Sequence, residues 1–185
     1  MADRILVIGC PASGKSTLAA RLADRLNLPL VNLDELYFGP NWSKPNPSEW
    51  EMRVQDCIAA PRWVIDGNHQ STFELRLSAA DCVVSFDRPP LRCAWSYLCR
   101  AARLKIAAWR GADPQLFPVH MRCPNGRIRV TDQPVRFVLF ILRFGIVRRA
   151  MDEMLVGFAG STIRIGSFDD ADRVLTEFIE QHQTG

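Results

Sequence analysis

Apolar residues along the chain occur either in short continuous runs or at helical spacing. A β-branched run at residues 4–8 ends in a glycine, which is the pattern of a buried parallel strand. Residues 15–27 follow with Leu18, Leu22 and Leu26 at i, i+4 and i+8, which is the stripe of an amphipathic helix. Similar short apolar runs predict four further strands, at residues 30–33, 63–65, 82–86 and 162–165. The pattern therefore predicts five strands with helices between them.

The segments between these runs carry helix signals. Ser48 is the expected N-cap of a helix that runs to about residue 60, with Glu51 as its capping-box partner. Asp132 and Pro134 predict the start of a helix that ends near Met154. Other helices are predicted at residues 72–77, at 91–109 and after Asp169–Asp170, and loops at 38–47 and 111–130. Strands separated by helices imply βαβ units, so we expect one α/β domain over residues 1–185 with a parallel sheet covered on both faces.

Composition agrees with a single folded domain. The chain has 185 residues, of which 48% are apolar and 23% charged, and these values exclude a disordered protein. The longest apolar run, residues 135–147, contains Arg136 and Arg143, so we expect no membrane insertion. Six cysteines occur without Cys-x-x-Cys spacing, and no export signal is recognisable at the N-terminus. We therefore expect reduced thiols and a cytoplasmic protein.

Charge is distributed unevenly along the chain. Residues 91–149 contain 12 basic and two acidic side chains, whereas the segments on either side are net acidic. A basic middle segment indicates a site for a polyanion. Phosphate on a small molecule and phosphate on nucleic acid both fit this pattern.

Residues 9–16 match GxxxxGK[ST], the phosphate-binding loop (P-loop). The motif follows a predicted strand and opens a predicted helix, which is the arrangement needed for backbone N–H groups and the helix N-terminus to face a triphosphate. We expect Lys15 to reach the β- and γ-phosphates and the Ser16 hydroxyl to ligate Mg²⁺, with ATP as the nucleotide. The expected nucleotide-binding residues are Gly9, Pro11, Ala12, Ser13, Gly14, Lys15, Ser16 and Thr17.

Carboxylates follow three of the predicted strands. Asp66 ends the third strand and is the preferred candidate to hold the metal; Asp87 has the same position on the fourth strand, and either could instead cap a loop. Asp34 ends the second strand, at the edge of the sheet where ligands bind in open α/β folds. It could orient or deprotonate an acceptor hydroxyl or order the waters of the metal, with loop capping as the alternative.

Other candidates lie in the loops and in the basic segment. Arg100 and Arg103 share a helix face and are the expected catalytic cations, although any one arginine there could simply be solvated. Trp42 lies in a proline-rich loop and is the candidate for stacking on an acceptor. His69 fits a hydrogen-bonded loop residue better than a base.

Together these residues resemble the adenylate-kinase-like P-loop proteins, and in particular the FlaR-type group, which is labelled as topology-modulation proteins. The resemblance is carried by residues 9–17, 33–34, 63–68, 75–77 and 79–81 and by Trp42. It implies a three-layer P-loop sandwich with five parallel strands in the order 2-3-1-4-5, a helical lid at residues 91–131, and a site for ATP and Mg²⁺.

The chain departs from adenylate kinases after the Asp66–Gly67 pair. Those enzymes continue with Phe-Pro-Arg, whereas this chain has Asn68, His69 and Gln70, so the resemblance does not support AMP as the acceptor. Asn68 and Arg76 are the remaining candidates near this loop for contacts with the acceptor, together with Asp34 and Trp42.

The leading hypothesis is a kinase that transfers the γ-phosphoryl group of ATP to a small-molecule acceptor. The alternative is an ATP-switched nucleic-acid-binding or regulatory protein. No helix-turn-helix, zinc-finger or RNA-recognition motif supports the alternative. A GTPase is disfavoured because the chain has no Asn-Lys-x-Asp motif.

Overall fold

Five parallel strands form one sheet at the centre of the computed structural model, which describes residues 2–167, 169–174 and 176. Their order across the sheet is β2-β3-β1-β4-β5, which confirms the predicted fold class and strand order. The strands are β1 (Arg4–Gly9), β2 (Leu30–Asn32), β3 (Trp63–Asp66), β4 (Cys82–Phe86) and β5 (Ser161–Ile165).

Helices cover both faces of this sheet. The α-helices are α1 (Lys15–Leu26), α2 (Leu33–Tyr37), α3 (Pro47–Ile58), α4 (Phe73–Ala79), α5 (Pro90–Trp109), α6 (Pro134–Leu142) and α7 (Phe144–Val156). Single 3₁₀ turns occur at Pro40–Trp42, Gln70–Thr72, Pro114–Leu116 and Val119–Met121. Residues 169–174 are helical, and the rest of the predicted closing helix lies outside the described residues. Within the described part of the chain, no helix has the length and apolar content needed to span a membrane.

The core is split into two layers because side chains alternate along each strand. Ile5 and Val7 of β1 pack with Leu22 of α1 on one face of the sheet. Leu6 and Ile8 pack on the other face, against side chains from the third, fourth, fifth, sixth and seventh helices. The result is a three-layer sandwich.

Parallel register brings the functional ends of the strands to one edge. Val7 of β1 pairs with Asp66 of β3, and Gly9 pairs with Phe86 of β4. The residues that follow these strands therefore emerge side by side at the carboxyl edge of the sheet, where open α/β folds bind their ligands.

Two helix starts differ from the prediction. β2 ends at Asn32, so Asp34 belongs to α2 rather than to the strand; the Asn32 side chain caps this helix by accepting from the N–H of Asp34 at 3.0 Å. The cap of α3 is Asn46, which accepts from the N–H of Glu49 at 2.8 Å, and not Ser48 with Glu51. In both places an asparagine directly before the first helical turn supplies the acceptor.

The helix predicted from Asp132 to Met154 is two helices. Arg143, with φ −93° and ψ 6°, interrupts it between α6 and α7. Gln133 precedes the first turn of α6, while Asp132 is engaged in an ion pair with Arg129, with an N···O distance of 2.6 Å. The aspartate therefore stabilises the preceding loop instead of the helix.

Candidate active site

The P-loop connects β1 to α1 as a backbone cradle. Gly9, Ala12 and Gly14 have positive φ angles of 147°, 61° and 106°. A Cβ at Gly9 would lie 2.4 Å from the carbonyl oxygen of Phe86, so only glycine fits there. Positive φ angles next to ordinary ones turn successive N–H groups to one side, and this loop leads directly into the N-terminus of α1. The cradle suits an anion such as a phosphate.

Lys15 and Asp66 form a buried ion pair beside this cradle. Lys15 Nζ lies 3.1 Å from Asp66 Oδ1, and the two side chains are 9% and 2% exposed. The carboxylate is held at the end of β3, whereas the lysine begins α1, so adjacent strands of the sheet bring them together. Ser16 and Thr17 lie exposed on the first turn of the same helix.

Ser13, a residue of the P-loop, is fully buried. Its carbonyl accepts a hydrogen bond from Arg88 Nη1 at 3.1 Å. Arg88 follows β4, and sequence analysis did not single it out because nothing in the local pattern links residues 75 positions apart. This arginine ties the end of β4 to the P-loop.

The Asn68 side chain binds the backbone of the P-loop at Gly9. Its Nδ2 donates to the carbonyl of Gly9 at 2.7 Å, and its Oδ1 accepts from the N–H of Gly9 at 3.0 Å. Both ends of the amide therefore contact the backbone of Gly9, so Asn68 supports the P-loop; its expected contact with an acceptor stays a prediction. Gly67 before it has φ 141°, and a Cβ there would lie 2.8 Å from Cβ of Leu33.

Arg76 also has a structural position. It is fully buried, and its guanidinium donates to the carbonyls of Gly67, Asn68, His69 and Thr72 over 2.8–3.1 Å. Burial lowers the pKa of Arg76 to about 10, so the side chain remains charged at neutral pH. A group with no exposed surface cannot contact an acceptor directly, so the expected substrate contact is corrected to a support for the loop that carries Asn68.

Asp34 and His69 meet at the same edge of the sheet. His69 Nε2 lies 3.3 Å from Asp34 Oδ1, and the imidazole packs against the rings of Tyr37 and Trp50, with centroid distances of 4.5 and 4.9 Å. Burial opposes the charge on Asp34, but the hydrogen bond with His69 and the positive charge of Lys15 outweigh it and lower the pKa of Asp34 below its ordinary value. The carboxylate of Asp34 is thus ionised. It lies between Lys15 and the packed rings of Tyr37, Trp50 and His69, which we call the aromatic wall.

Trp42 and His120 extend this wall from two distant parts of the chain. Their ring centroids lie 4.5 Å apart, and Trp42 Nε1 donates to the carbonyl of Arg129 at 2.8 Å. Trp42 has φ 60°, which is rare for a bulky residue. Burial lowers the pKa of His120, against the opposite effect of Asp34, so this imidazole is neutral at pH 7. Sequence analysis missed His120 because its partner lies 78 residues away.

The segment predicted as a lid is docked on the loop that carries Trp42. The N–H of Asn41 donates to the carbonyl of Arg122 at 2.9 Å, next to the Trp42–Arg129 bond. A cleft of about 500 Å³ lies beside the aromatic wall, at the junction of this segment with the second and third helices. Its lining includes Glu35, Phe38, Arg53, Val119, His120 and Arg122.

The arginines and the second carboxylate candidate lie around this centre. Arg100 is exposed on α5 and close enough to His120 to contribute to lowering its pKa. Arg103 is exposed one turn further along the helix. Asp87 forms an ion pair with Arg148, so this carboxylate is already neutralised by an arginine. Asp66 is paired as well, but its partner is the P-loop residue Lys15, so of the two metal candidates Asp66 is the one in contact with the phosphate-binding loop.

No family model matches the chain. Among curated proteins it is similar to a tRNA dimethylallyltransferase of Sorangium cellulosum (strain So ce56), with 32% identity over 120 residues; the match covers 61% of this chain and 38% of that protein. The chain thus spans less than half the length of its curated relative.

Solved structures are similar over nearly the full length. Shikimate kinase from Bacteroides thetaiotaomicron superposes with a TM-score of 0.52 at 13% identity, covering 99% of both chains. An uncharacterised protein from Eubacterium ventriosum ATCC 27560 superposes with a TM-score of 0.50 at 16% identity, covering 97% of this chain and 99% of the other. With the P-loop and the strand order described above, these likenesses show that the chain has the P-loop kinase fold.

Proposed function

We propose that the chain is an ATP-dependent phosphotransferase of the adenylate-kinase-like, FlaR-type group, which transfers the γ-phosphoryl group to a hydroxyl of a small-molecule acceptor. The observation that carries the proposal is the buried Lys15–Asp66 pair next to the P-loop cradle. A lysine held by a carboxylate at this place is ready to exchange that partner for a phosphate.

The nucleotide side of the site fits ATP and Mg²⁺. The backbone of residues 9–14 and the side chain of Lys15 would hold the phosphates, and Thr17 lies on the same helical turn. Ser16 and Asp66 would hold Mg²⁺, which commonly takes one or two protein ligands together with phosphate oxygens and water. Within the described residues no group of three or more His, Cys, Asp or Glu side chains could form a metal site of its own. Bound Mg·ATP would supply the phosphoryl group and a counter-charge for it.

The acceptor side is built around Asp34. Its carboxylate is ionised, reaches the solvent, and is influenced by the charge of Lys15, so it lies next to the phosphate side of the site. It would orient the acceptor hydroxyl and take up its proton. His69 would hold the carboxylate through their hydrogen bond, and Trp42 with His120 would form the wall against which the acceptor rests.

Residues 91–131 would act as the lid. Arg100 is the preferred candidate in this segment for a cation that contacts the phosphates, since its charge contributes to lowering the pKa of His120 at the aromatic wall. Arg103 stays a prediction based on the helix face that it shares with Arg100. A closed lid would exclude water, which otherwise competes with the acceptor for the phosphoryl group.

The test uses the purified chain with γ-labelled ATP, Mg²⁺, a panel of nucleoside monophosphates and sugars, and a metabolite extract. We expect label in one acceptor, and its loss in Lys15→Ala with the circular dichroism spectrum unchanged. Arg25→Ala is the matched control, because Arg25 lies exposed in the last turn of α1, at the end of the helix opposite the P-loop. Equal transfer by Lys15→Ala and the wild type would refute the proposal.

A second candidate is group transfer to RNA, and the tRNA dimethylallyltransferase relative is the observation that favours it. In this case the P-loop would hold the diphosphate of an allylic donor, and the basic middle segment would contact the RNA backbone. Labelled dimethylallyl diphosphate with bulk tRNA separates the two candidates. If label from dimethylallyl diphosphate entered RNA and no small molecule received label from ATP, group transfer to RNA would replace the kinase as the proposed function. RNA binding without transfer of either label would favour the nucleic-acid-binding alternative.

A further inference from the structure

Helix α5 exposes a second apolar face. Its inner face is anchored in the core by Cys93, Ala94 and Tyr97. Large apolar side chains nevertheless lie on the outer face, at i, i+4, i+7, i+15 and i+18, which a helix places along one line. They are Leu91 (75% exposed), Trp95 (70%), Leu98, Ile106 and Trp109 (86%). The structure therefore leaves an apolar stripe, with a tryptophan near each end, without a partner in the described residues.

The charged residues of α5 are all basic, and three of the four lie along the edges of this stripe. Arg92, Arg100, Arg103 and Lys105 are exposed, and the helix contains no acidic residue. With about 100° of rotation per residue, Lys105 lies on one edge of the stripe, and Arg92 and Arg103 lie on the other. The outer face of α5 is thus apolar along its middle and cationic along both edges.

The following helices repeat this combination. Val135 (71% exposed), Leu139, Leu142 and Ile146 (70%) form a second exposed apolar set across α6 and the start of α7. Their exposed charged neighbours are Arg136, Arg143 and Arg149, and no acidic residue occurs from Gln133 to Ala150. Two separate helical segments therefore share the same surface chemistry.

We propose that this outer surface of α5 and α6 docks the protein on an anionic lipid membrane. Exposed tryptophan and aliphatic side chains with basic residues beside them are the composition of helices that lie in a membrane interface, where the apolar side chains enter the acyl boundary and the cations meet lipid phosphates. Tryptophan is enriched at this depth. With no helix of the described chain able to span a bilayer, α5 would lie parallel to the surface.

Charge distinguishes this partner from two others. A second copy paired through the stripe of α5 would bring Arg92, Arg103 and Lys105 of each helix together, and α5 contains no acidic residue to lie between them. Nucleic acid would pair with the cations but would leave Leu91, Leu98 and Ile106 in water. An anionic lipid surface is the one partner of the three that satisfies both the apolar stripe and its basic edges.

The experiment is co-sedimentation of the full chain with vesicles. Vesicles of mixed phosphatidylcholine and phosphatidylglycerol should bind the protein, phosphatidylcholine vesicles should bind it about tenfold more weakly, and high salt should weaken binding to the mixed vesicles. Tryptophan fluorescence should shift to the blue on binding, since Trp95 and Trp109 leave water. The double variant Trp95→Glu/Trp109→Glu should lose at least about tenfold in vesicle affinity. Arg92→Gln/Lys105→Gln should lose the preference for the anionic lipid.

Met52→Glu is the matched control, because Met52 is an apolar side chain 59% exposed on α3, a helix that is not part of the proposed surface. It should bind vesicles like the wild type. Undiminished vesicle binding by the tryptophan double variant would overturn the proposal. The proposal would also be overturned if the wild type did not bind vesicles but formed a dimer in light scattering, or bound RNA, and the tryptophan double variant abolished that interaction. The surface would then be assigned to the second copy or to RNA. Lys15→Ala, which tests the proposed function, should bind vesicles like the wild type because Lys15 lies outside α5 and α6, so the two proposals fail independently.

Discussion

Lys15 and Asp66, 51 residues apart in the sequence, form a buried ion pair with 3.1 Å between Nζ and Oδ1. The two members are not equally free to move. The carboxylate is fixed at the end of a central strand, whereas the ammonium ends a four-carbon chain at the mouth of the P-loop. Removal of one partner therefore should not cost the same as removal of the other.

We expect Lys15→Met to lower the free energy of unfolding by about 3–5 kcal/mol, because it leaves a buried carboxylate without a partner. Asp66→Asn should cost less, about 1.5–3 kcal/mol, since the lysine can reach water. Urea unfolding followed by circular dichroism measures both values, and the double variant gives the coupling between the residues. Changes below about 0.5 kcal/mol in both single variants would show that solvent screens the pair.

Two glycines provide a matched test of the P-loop backbone. Gly9→Ala places a Cβ 2.4 Å from a backbone carbonyl at a positive φ, so we expect a loss of more than about 3 kcal/mol and of nucleotide binding. Gly145→Ala meets no atom within 4 Å and lies in α7, so it should stabilise the protein by about 0.5–1 kcal/mol. Thermal unfolding of the two variants checks both signs, and an equal effect would contradict the structure.

Replacement of Arg76 tests whether this side chain supports the loop of residues 67–69, which carries the Asn68 side chain bound to Gly9. Arg76→Met leaves four carbonyls without their buried donor, and each unsatisfied group costs about 1–3 kcal/mol, so we expect destabilisation of at least about 3 kcal/mol. Amide hydrogen exchange at residues 67–69 should accelerate. Arg62→Met removes an exposed ion pair with Asp3 and should change stability by less than about 1 kcal/mol. Unchanged exchange in Arg76→Met would show that other contacts hold the loop.

His120 predicts a dependence of stability on pH. Burial lowers its pKa below the ordinary value of 6.5, so between the two pKa values the unfolded chain binds a proton that the folded chain does not. The stability that the neutral imidazole contributes is present above the unfolded pKa and is lost as the pH falls through the folded pKa. We expect the wild type to lose more free energy of unfolding between pH 7 and pH 5 than His120→Gln does. Equal losses in urea titrations at the two pH values would refute a lowered pKa.

The sequence predicted the fold because the signals for its central elements are local. The alternation of short apolar runs with helical stripes defined all five strands, and the glycine-rich match at residues 9–16 defined the turn between β1 and α1. The contact between Lys15 and Asp66 follows from the observed pairing of β1 with β3, because parallel strands end at one edge of the sheet.

The contacts that side chains in loops make could not be predicted from local sequence patterns. Asn68 was expected to face an acceptor, and Arg76 to contact it; the structure turns Asn68 onto Gly9 and closes Arg76 inside the loop. Neither residue has a local pattern that distinguishes a ligand contact from a backbone contact, since both uses need the same donors at the same position.

The sequence patterns by themselves determined the five strands, their parallel sheet and the phosphate-binding loop, because each depends on residues that are neighbours in the chain or on the rules of βαβ units. The strand order was implied by the resemblance to the adenylate-kinase-like proteins. Only the tertiary structure decided that Trp42 stacks on His120, that Arg88 holds Ser13, and that α5 carries an unpartnered apolar stripe. Such contacts join residues about 75 or more positions apart, or depend on which helix face the core has already used. Their geometry arises from the packing of whole elements, so no periodicity in the sequence encodes it.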